Sequence, residues 1–372
     1  MKAFKYLVSS LMLVSLLAMT SCGEDKLGDT IFPEIDETLD PNSYSYQLDK
    51  FLRENYLKVY NLDFKYKMED VGTDMNYNLV PASYKNAVDL AVLTKYLWFD
   101  AYKEVAGENF LKAYGPRIIH LIGSPAYNPN SGNMILGLAE GGIKVSLFRV
   151  NEMNVNDFEM MNEYYFKTMH HEFSHILHQM KTYPSEFNRL SVGHYDINNW
   201  QDKQDGVVNS QGFVTTYASS EFREDFAETI ANFIVKTDAQ WARILDLASR
   251  GWTTADGEDS NSAIYYCYYY YSNNEADPDN IRYCFEGEVR FEDGQKYYKT
   301  NKDANGNRII VYDVEDKDGI DGAAIILQKV QIARDWLQEA WGVSLDEIRK
   351  EVQKRQANYD MDELRKQVYE IQ

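Results

Sequence analysis

The sequence predicts an α+β fold built on a mixed sheet, and three of its stretches carry that prediction. Short apolar runs punctuated by glycine and proline alternate with helix-period segments through residues 45–180. A tyrosine-rich stretch over 253–317 contains two dipeptides of the kind that turn a hairpin. From residue 320 onward, apolar residues recur at helical spacing. The expected architecture is strands backed by helices, one of which carries a histidine-rich motif, then a helical C-terminal subdomain carrying a β-hairpin insertion.

Each element has a local justification. MKAFKYLVSSLMLVSLLAMTSC opens with Lys2 and Lys5, and its apolar run is too short to span a bilayer; small residues then lead to Cys22. That pattern is a secretory signal, so 1–21 is expected to be removed. Residues 22–44 are polar and contain proline, as a tether would. From Ser45 a helix is expected, with Leu48, Phe51, Leu52 and Val59 on one face. DFKYKME alternates Phe64, Tyr66 and Met68 with Lys65 and Lys67, a half-buried strand. A long helix follows from Ser83 to Val105, then a short strand in GPRIIHLIGS between Gly115-Pro116 and Gly123. ILGLAEGGIKVSLFRV predicts two strands about Gly141-Gly142, with 143–150 placed to pair with an extended peptide. Asp157 is expected to cap the next helix, and loop-rich residues 181–212 to wall a cleft before a helix near Ser220–Lys236. Asp293-Gly294 and Asn305-Gly306 predict type I′ hairpin turns. A helix over 320–341 stops at Gly342, and Ser344 with Glu347 opens another as a capping box.

Charge and cysteine content narrow the functions. The formal net charge of −20 becomes −22 once the two lysines of 1–21 are gone, which argues against nucleic acid and against docking on anionic lipid. No later segment is long and apolar enough to cross a membrane. Beyond Cys22 only Cys267 and Cys284 remain; an exported chain allows them to pair, and the sequence leaves that open. Two cysteines make no zinc site of their own, so metal chemistry has to come from histidines and carboxylates.

Four of the chain's six histidines fall in HHEFSHILHQ, residues 170–179. His171-Glu172-Phe173-Ser174-His175 has H-E-x-x-H spacing: residues four apart share a helical face, so both imidazoles reach one zinc ion while Glu172 faces its water. Met161, Tyr165, Met169, Phe173, Ile176 and Met180 mark that helix as buried. His170 points about 100° away from His171 and reads as packed or solvent-facing. His178 returns to the His171 face after about 10 Å of helical rise, which suits a supporting or core residue better than a ligand. A catalytic zinc takes a third protein ligand. The metzincin pattern does not supply it, because His178 and Lys181 stand where that pattern has glycine and histidine. SSEFREDFAETIANFI does: Phe222, Phe226, Ile230 and Phe233 form its apolar seam, and Glu221, Glu224 and Glu228 line a neighbouring face. The four-residue spacing of Glu224 and Glu228 is similar to that in thermolysin-like enzymes, which implies Glu224 as ligand and Glu228 as acceptor of the second N–H of His171 or His175.

Four further resemblances sharpen the expectation. LAMTSC resembles a bacterial lipoprotein box, implying that Cys22 is lipidated and anchors the chain, and GEDKLGDT resembles the acidic leader of surface-displayed lipoproteins of Bacteroidota. YASSEFREDFAE resembles the corresponding segment of lethal-factor-like gluzincins, implying that Tyr217 stabilises an oxyanion. From FKYKMEDVG through KAYGPRIIHLIGS, GLAEGGIKVSLFRVN, HHEFSHILHQ and EDFAE to DGIDGAAIILQKVQIARDWLQEAWGVSLDEIRKEV, the chain resembles the zinc metallopeptidase lipoproteins of Bacteroidota associated with outer-membrane substrate import, over most of 45–350. That resemblance implies a zincin-like metalloprotease fold for 45–372, with 253–317 as a β-rich insertion longer than the family pattern. It also implies one catalytic Zn²⁺, a peptide or protein substrate, an outer-membrane lipoprotein exposed at the cell surface, and a TonB-dependent import system as partner. The competing reading is a non-catalytic surface substrate-binding lipoprotein that feeds an outer-membrane transporter, the tyrosines of 265–271 serving as a stacking platform. A third keeps the zinc chemistry and acts on another amide.

Overall fold

Four strands form the sheet that backs the histidine-bearing helix. In the computed structural model they are β1 (Asp63–Lys65), β2 (Ile118–Leu121), β3 (Gly137–Glu140) and β4 (Lys144–Leu147), in spatial order β1-β2-β4-β3. The structure describes residues 39–68, 79–127, 144–203, 205–249 and 320–371, and between them the backbone of short strands within 134–140 and 252–313. The chain divides into two compact units, Met1–Ser43 and Tyr44–Gln372, and everything below concerns the second. The signal segment, Cys22 and most of the tether lie outside the described residues, as do Gly141, Gly142 and Cys284, and with Cys284 the question of its pairing with Cys267.

The sheet is mixed, as predicted. β1 runs parallel to β2, and β2 parallel to β4, whereas β3 is antiparallel to β4. Phe64, Ile119, Leu121, Val145 and Leu147 put alternate residues into the main core, and His120 and Ser146 between them are buried on the other face. β4 is hydrogen-bonded on both sides, so residues 143–150 are not placed to accept an extended peptide; among the described residues the outer strands are β1 and β3. β1 is shorter than DFKYKME suggests. Tyr66 and Lys67 turn instead toward the preceding helix, where both bond the Asp49 carboxylate, at 2.7 and 2.8 Å.

The helices follow their caps. α1 (Tyr46–Leu52) precedes β1. Ser83 Oγ accepts the Asn86 amide and opens α2 (Tyr84–Leu93), which continues through a π-helical turn, Thr94–Phe99, into α3 (Asp100–Ala106) and then α4 (Glu108–Tyr114). Asp157 caps the next helix as expected, accepting the Met160 amide. After a π-helical turn at Asn162–Phe166 that helix becomes α5 (Lys167–Met180), which carries the histidines. α6 (Phe222–Val235) and α7 (Asp238–Ala248) follow; Thr237 and Gln240 form a reciprocal capping box between them. α8 (Gly322–Trp341), α9 (Leu345–Gln356) and α10 (Met361–Tyr369) complete the chain. Ser344 accepts the Glu347 amide, which is one half of the predicted capping box, and Arg365 binds Asp89 of α2 through two nitrogens, at 2.6 and 2.9 Å. No helix of the described residues is long and apolar enough to cross a membrane.

The 253–317 segment carries antiparallel strands: Trp252–Thr254 pairs with Tyr265–Cys267, and five more form a sheet from Arg282–Tyr283 to Val289–Glu292. Glu292 pairs with Gln295 across a two-residue link whose Asp293 has φ 48°, as type I′ geometry requires. The link at Asn305-Gly306 is longer than that turn type, because Lys302 pairs with Arg308.

Candidate metal centre

α5 and α6 pack side by side, and each brings two polar side chains four residues apart to the seam. His171 and His175 share a face of α5; Glu224 and Glu228 share a face of α6. Both helices are otherwise buried by their apolar residues, with Phe173 against Trp98 and Tyr102, and Phe226 against Tyr183 and Trp336. Each predicted seam loses its outermost member to solvent: Met180 ends α5 and is 54 % exposed, and Phe222 starts α6 and is 36 % exposed.

Three ligand-type atoms converge. His171 Nε2 and His175 Nε2 lie 3.0 Å apart, and Glu224 Oε2 stands 3.0 Å from the first and 3.2 Å from the second. Glu172 adjoins them, offering a carboxylate oxygen within 4.8 Å of both imidazoles. The far side of each ring is engaged as well. His171 Nδ1 is 2.8 Å from Glu228 Oε1, so it carries the proton and donates. His175 Nδ1 is 2.8 Å from His178 Nε2. With Nδ1 of each ring as donor, the two Nε2 atoms point lone pairs at one another beside a carboxylate oxygen. Such a donor set suits a small cation, and the ligand separations are compatible with zinc bonds of about 2.0–2.2 Å.

The field has the same sign. Burial would lower the pKa of His171, but Glu224 and Glu228 outweigh it and push it up to about 10. A place that holds a proton so firmly favours a divalent metal for the same reason. Burial would raise Glu224; hydrogen bonds and charge from His171 and His175 override that and hold its carboxyl well below the usual range. Glu228, also opposed by burial, is brought down to about 2 by the Lys167 ammonium and the His171 and Thr215 hydrogen bonds. Glu172 is different: burial dominates and raises it, as suits a carboxyl that exchanges a proton.

The centre opens on one side. The side chains of His171 and Glu228 are 7 and 4 % exposed, whereas His175 and Glu224 keep 13 and 20 %, so approach is over the latter pair. Tyr217 stands at that opening, 36 % exposed, its ring stacked 5.8 Å from His171. Burial, followed by the Glu224 charge and hydrogen bond, raises its phenol well above the usual value, so it stays a donor. Trp200 leans on Tyr217 with ring centroids 4.8 Å apart, and the Asp196 amide bonds the Ser219 carbonyl. Part of the 181–212 segment thus borders the opening, as expected.

All the predicted site residues of the globular unit therefore meet: His171, Glu172, His175, Tyr217, Glu224 and Glu228. Glu228 serves His171, not His175. His170 proves to be packed: its Nδ1 faces the Tyr102 hydroxyl at 3.1 Å, and burial lowers its pKa to about 3. His178 is likewise kept neutral, at about 4, first by burial and then by His175. Residues that brace Glu228 were not foreseen. Thr215 Oγ1 and Asn232 Nδ2 donate to its Oε2 at 2.7 and 3.1 Å, and only the four-residue spacing of Asn232 hinted at this.

A crystal structure described as a "putative zinc-binding metallo-peptidase" from Bacteroides caccae is similar to this chain, at 33 % identity and TM-score 0.58, covering 85 % of this chain and 95 % of that one. No curated protein matches the chain. Two helices that aim two imidazoles and a carboxylate at one point agree with what the sequence itself matches over residues 42–346, and the chain belongs to the family described as "Putative zinc-binding metallo-peptidase".

Proposed function

We propose that this chain is a gluzincin-type zinc peptidase of zincin-like fold, hydrolysing peptide bonds of proteins or peptides. The observation that carries the reading is the convergence of His171 Nε2, His175 Nε2 and Glu224 Oε2 within 3.2 Å, with Glu172 beside them. His171, His175 and Glu224 would hold one Zn²⁺, which when bound supplies Lewis acidity toward a carbonyl and acidifies water. Glu172 takes the proton of the attacking water on its carboxylate and passes it to the departing amine nitrogen; its burial-raised pKa suits both halves of that transfer. The Tyr217 hydroxyl donates to the carbonyl oxygen as negative charge gathers there. Glu228 keeps His171 in one tautomer and orientation.

The setting belongs to the same proposal. Cys22 carries lipid, the chain sits on the outer membrane facing outward, and its products feed an import system of the TonB-dependent kind. The lipoprotein-like sequence around Cys22 supports this, together with a similar structure from a Bacteroides species.

Zinc content of the purified protein, followed by chelator-sensitive cleavage of a mixed peptide library, tests the activity. Glu172→Gln should keep its zinc and lose about 10²–10⁴-fold in turnover. Cleavage by Glu172→Gln at the wild-type rate would remove the base assignment. Zinc binding without any cleavage would leave the substrate-binding lipoprotein as the better reading.

A further inference from the structure

The two imidazoles of the centre are braced by unlike partners. Behind His171 stands an anion, Glu228, itself tied to Thr215 and Asn232. Behind His175 stands another imidazole, one helical turn on: His178 Nε2 lies 2.8 Å from His175 Nδ1. For His175 to present a lone pair at Nε2, its proton must reside on Nδ1, and that proton then needs an acceptor. His178 Nε2 is the acceptor the structure provides.

The His178 ring is held for this task. It meets Tyr183 and Phe226 edge to face, at centroid distances of 5.6 and 6.2 Å. Those two rings are stacked on each other at 3.9 Å, and the Tyr183 hydroxyl bonds the Phe222 carbonyl, 3.2 Å away. Phe226 belongs to α6, two residues beyond Glu224. One helix thus supplies a ligand-type carboxylate directly and, through its aromatic shelf, sets the ring that orients His175.

We propose that His178 is the positioning residue of the centre's second imidazole: a hydrogen-bond acceptor at Nε2 that fixes the tautomer and rotation of His175 for metal binding. This rests on the metal-centre reading, yet the experiment separates the two. Zinc affinity, measured by competition with a chromogenic chelator, is compared for wild type, His178→Leu and His178→Gln. His178→Leu retains bulk without an acceptor and should weaken binding about 10–100-fold. His178→Gln restores a carbonyl acceptor and should stay within a few-fold of wild type. In the zinc-loaded wild type labelled with ¹⁵N-histidine, a coupling across the hydrogen bond should join His175 Nδ1 to His178 Nε2. That measurement needs no variant to fold. Wild-type affinity in folded His178→Leu overturns the proposal; so does an equal loss in His178→Gln, which would make the role one of packing, and so does a protonated His178 Nε2. Wild-type protein that takes up no zinc instead overturns the metal centre itself.

Discussion

Glu224 and Glu228 show how identical side chains on one helix face divide their work by burial and partner. Glu224 lies between two imidazoles at the open side, and Glu228 lies behind one of them with every contact inside the protein. Glu224→Ala removes an atom from the converging set and should abolish stoichiometric zinc binding. Glu228→Gln keeps the shape but loses the anion, and should weaken zinc affinity by about 10–100-fold without emptying the site at millimolar zinc. Equilibrium dialysis with metal analysis measures both. Equal loss in the two variants would mean that the helix has shifted and that the two glutamates are not playing separate parts.

At the scale of elements, two glycines of α8 sit under different constraints. Gly342 ends the helix at φ 69°, its amide bonded to Gln338 O, and a Cβ there would meet nothing within 4 Å. Gly322, at the other end, lies so close to the carbonyls of Asn209 and Ser210 that a Cβ would come within 2.4 and 2.5 Å of their oxygens. Gly342→Ala therefore pays only the left-handed backbone cost, about 1–2 kcal/mol. Gly322→Ala carries no left-handed cost but must push two backbone segments apart, and should destabilise more. Urea unfolding of both variants checks the order; the reverse ranking would show that α8 does not approach Asn209 closely.

For the whole molecule, the link between α8, α6 and the loop segment is a buried charge pair. Lys329 and Asp225 are fully buried; the ammonium donates to Asp225 Oδ2 at 2.5 Å and to Ser191 Oγ and Gly212 O at 2.8 Å. Tyr195 donates to the same carboxylate, and Phe213 lies 4.3 Å under the Lys329 nitrogen. Burial disfavours charge on both partners, raising Asp225 and lowering Lys329, and each ion is stable there only because of the other. Lys329→Met or Asp225→Asn should cost about 3–5 kcal/mol, and the double replacement by apolar residues much less than their sum. Because Asp225 adjoins Glu224, the single variants should also lower zinc affinity. Additive losses in denaturant titrations would show that the pair is not coupled.

Much of this could be read from residue order because it is local. Four-residue spacings depend only on helix geometry, so the pairs His171/His175 and Glu224/Glu228 were legible, as were the helix ends at Asp157, Ser344 and Gly342. Lys329 was not singled out from the sequence, and only the fold shows it buried on the same helix as Ile326, Val330 and Ala333. What tertiary structure alone decided is how distant elements meet. His171 and Glu224 are 53 residues apart, and packing of α5 on α6 determines that they touch, which imidazole Glu228 braces, and that an aromatic shelf turns His178 toward His175. Hydrogen bonding likewise makes β4 an inner strand, between β2 and β3. Spacing along one helix follows from covalent geometry; contact between two follows from how their apolar faces exclude water together, and that is a property of the folded chain.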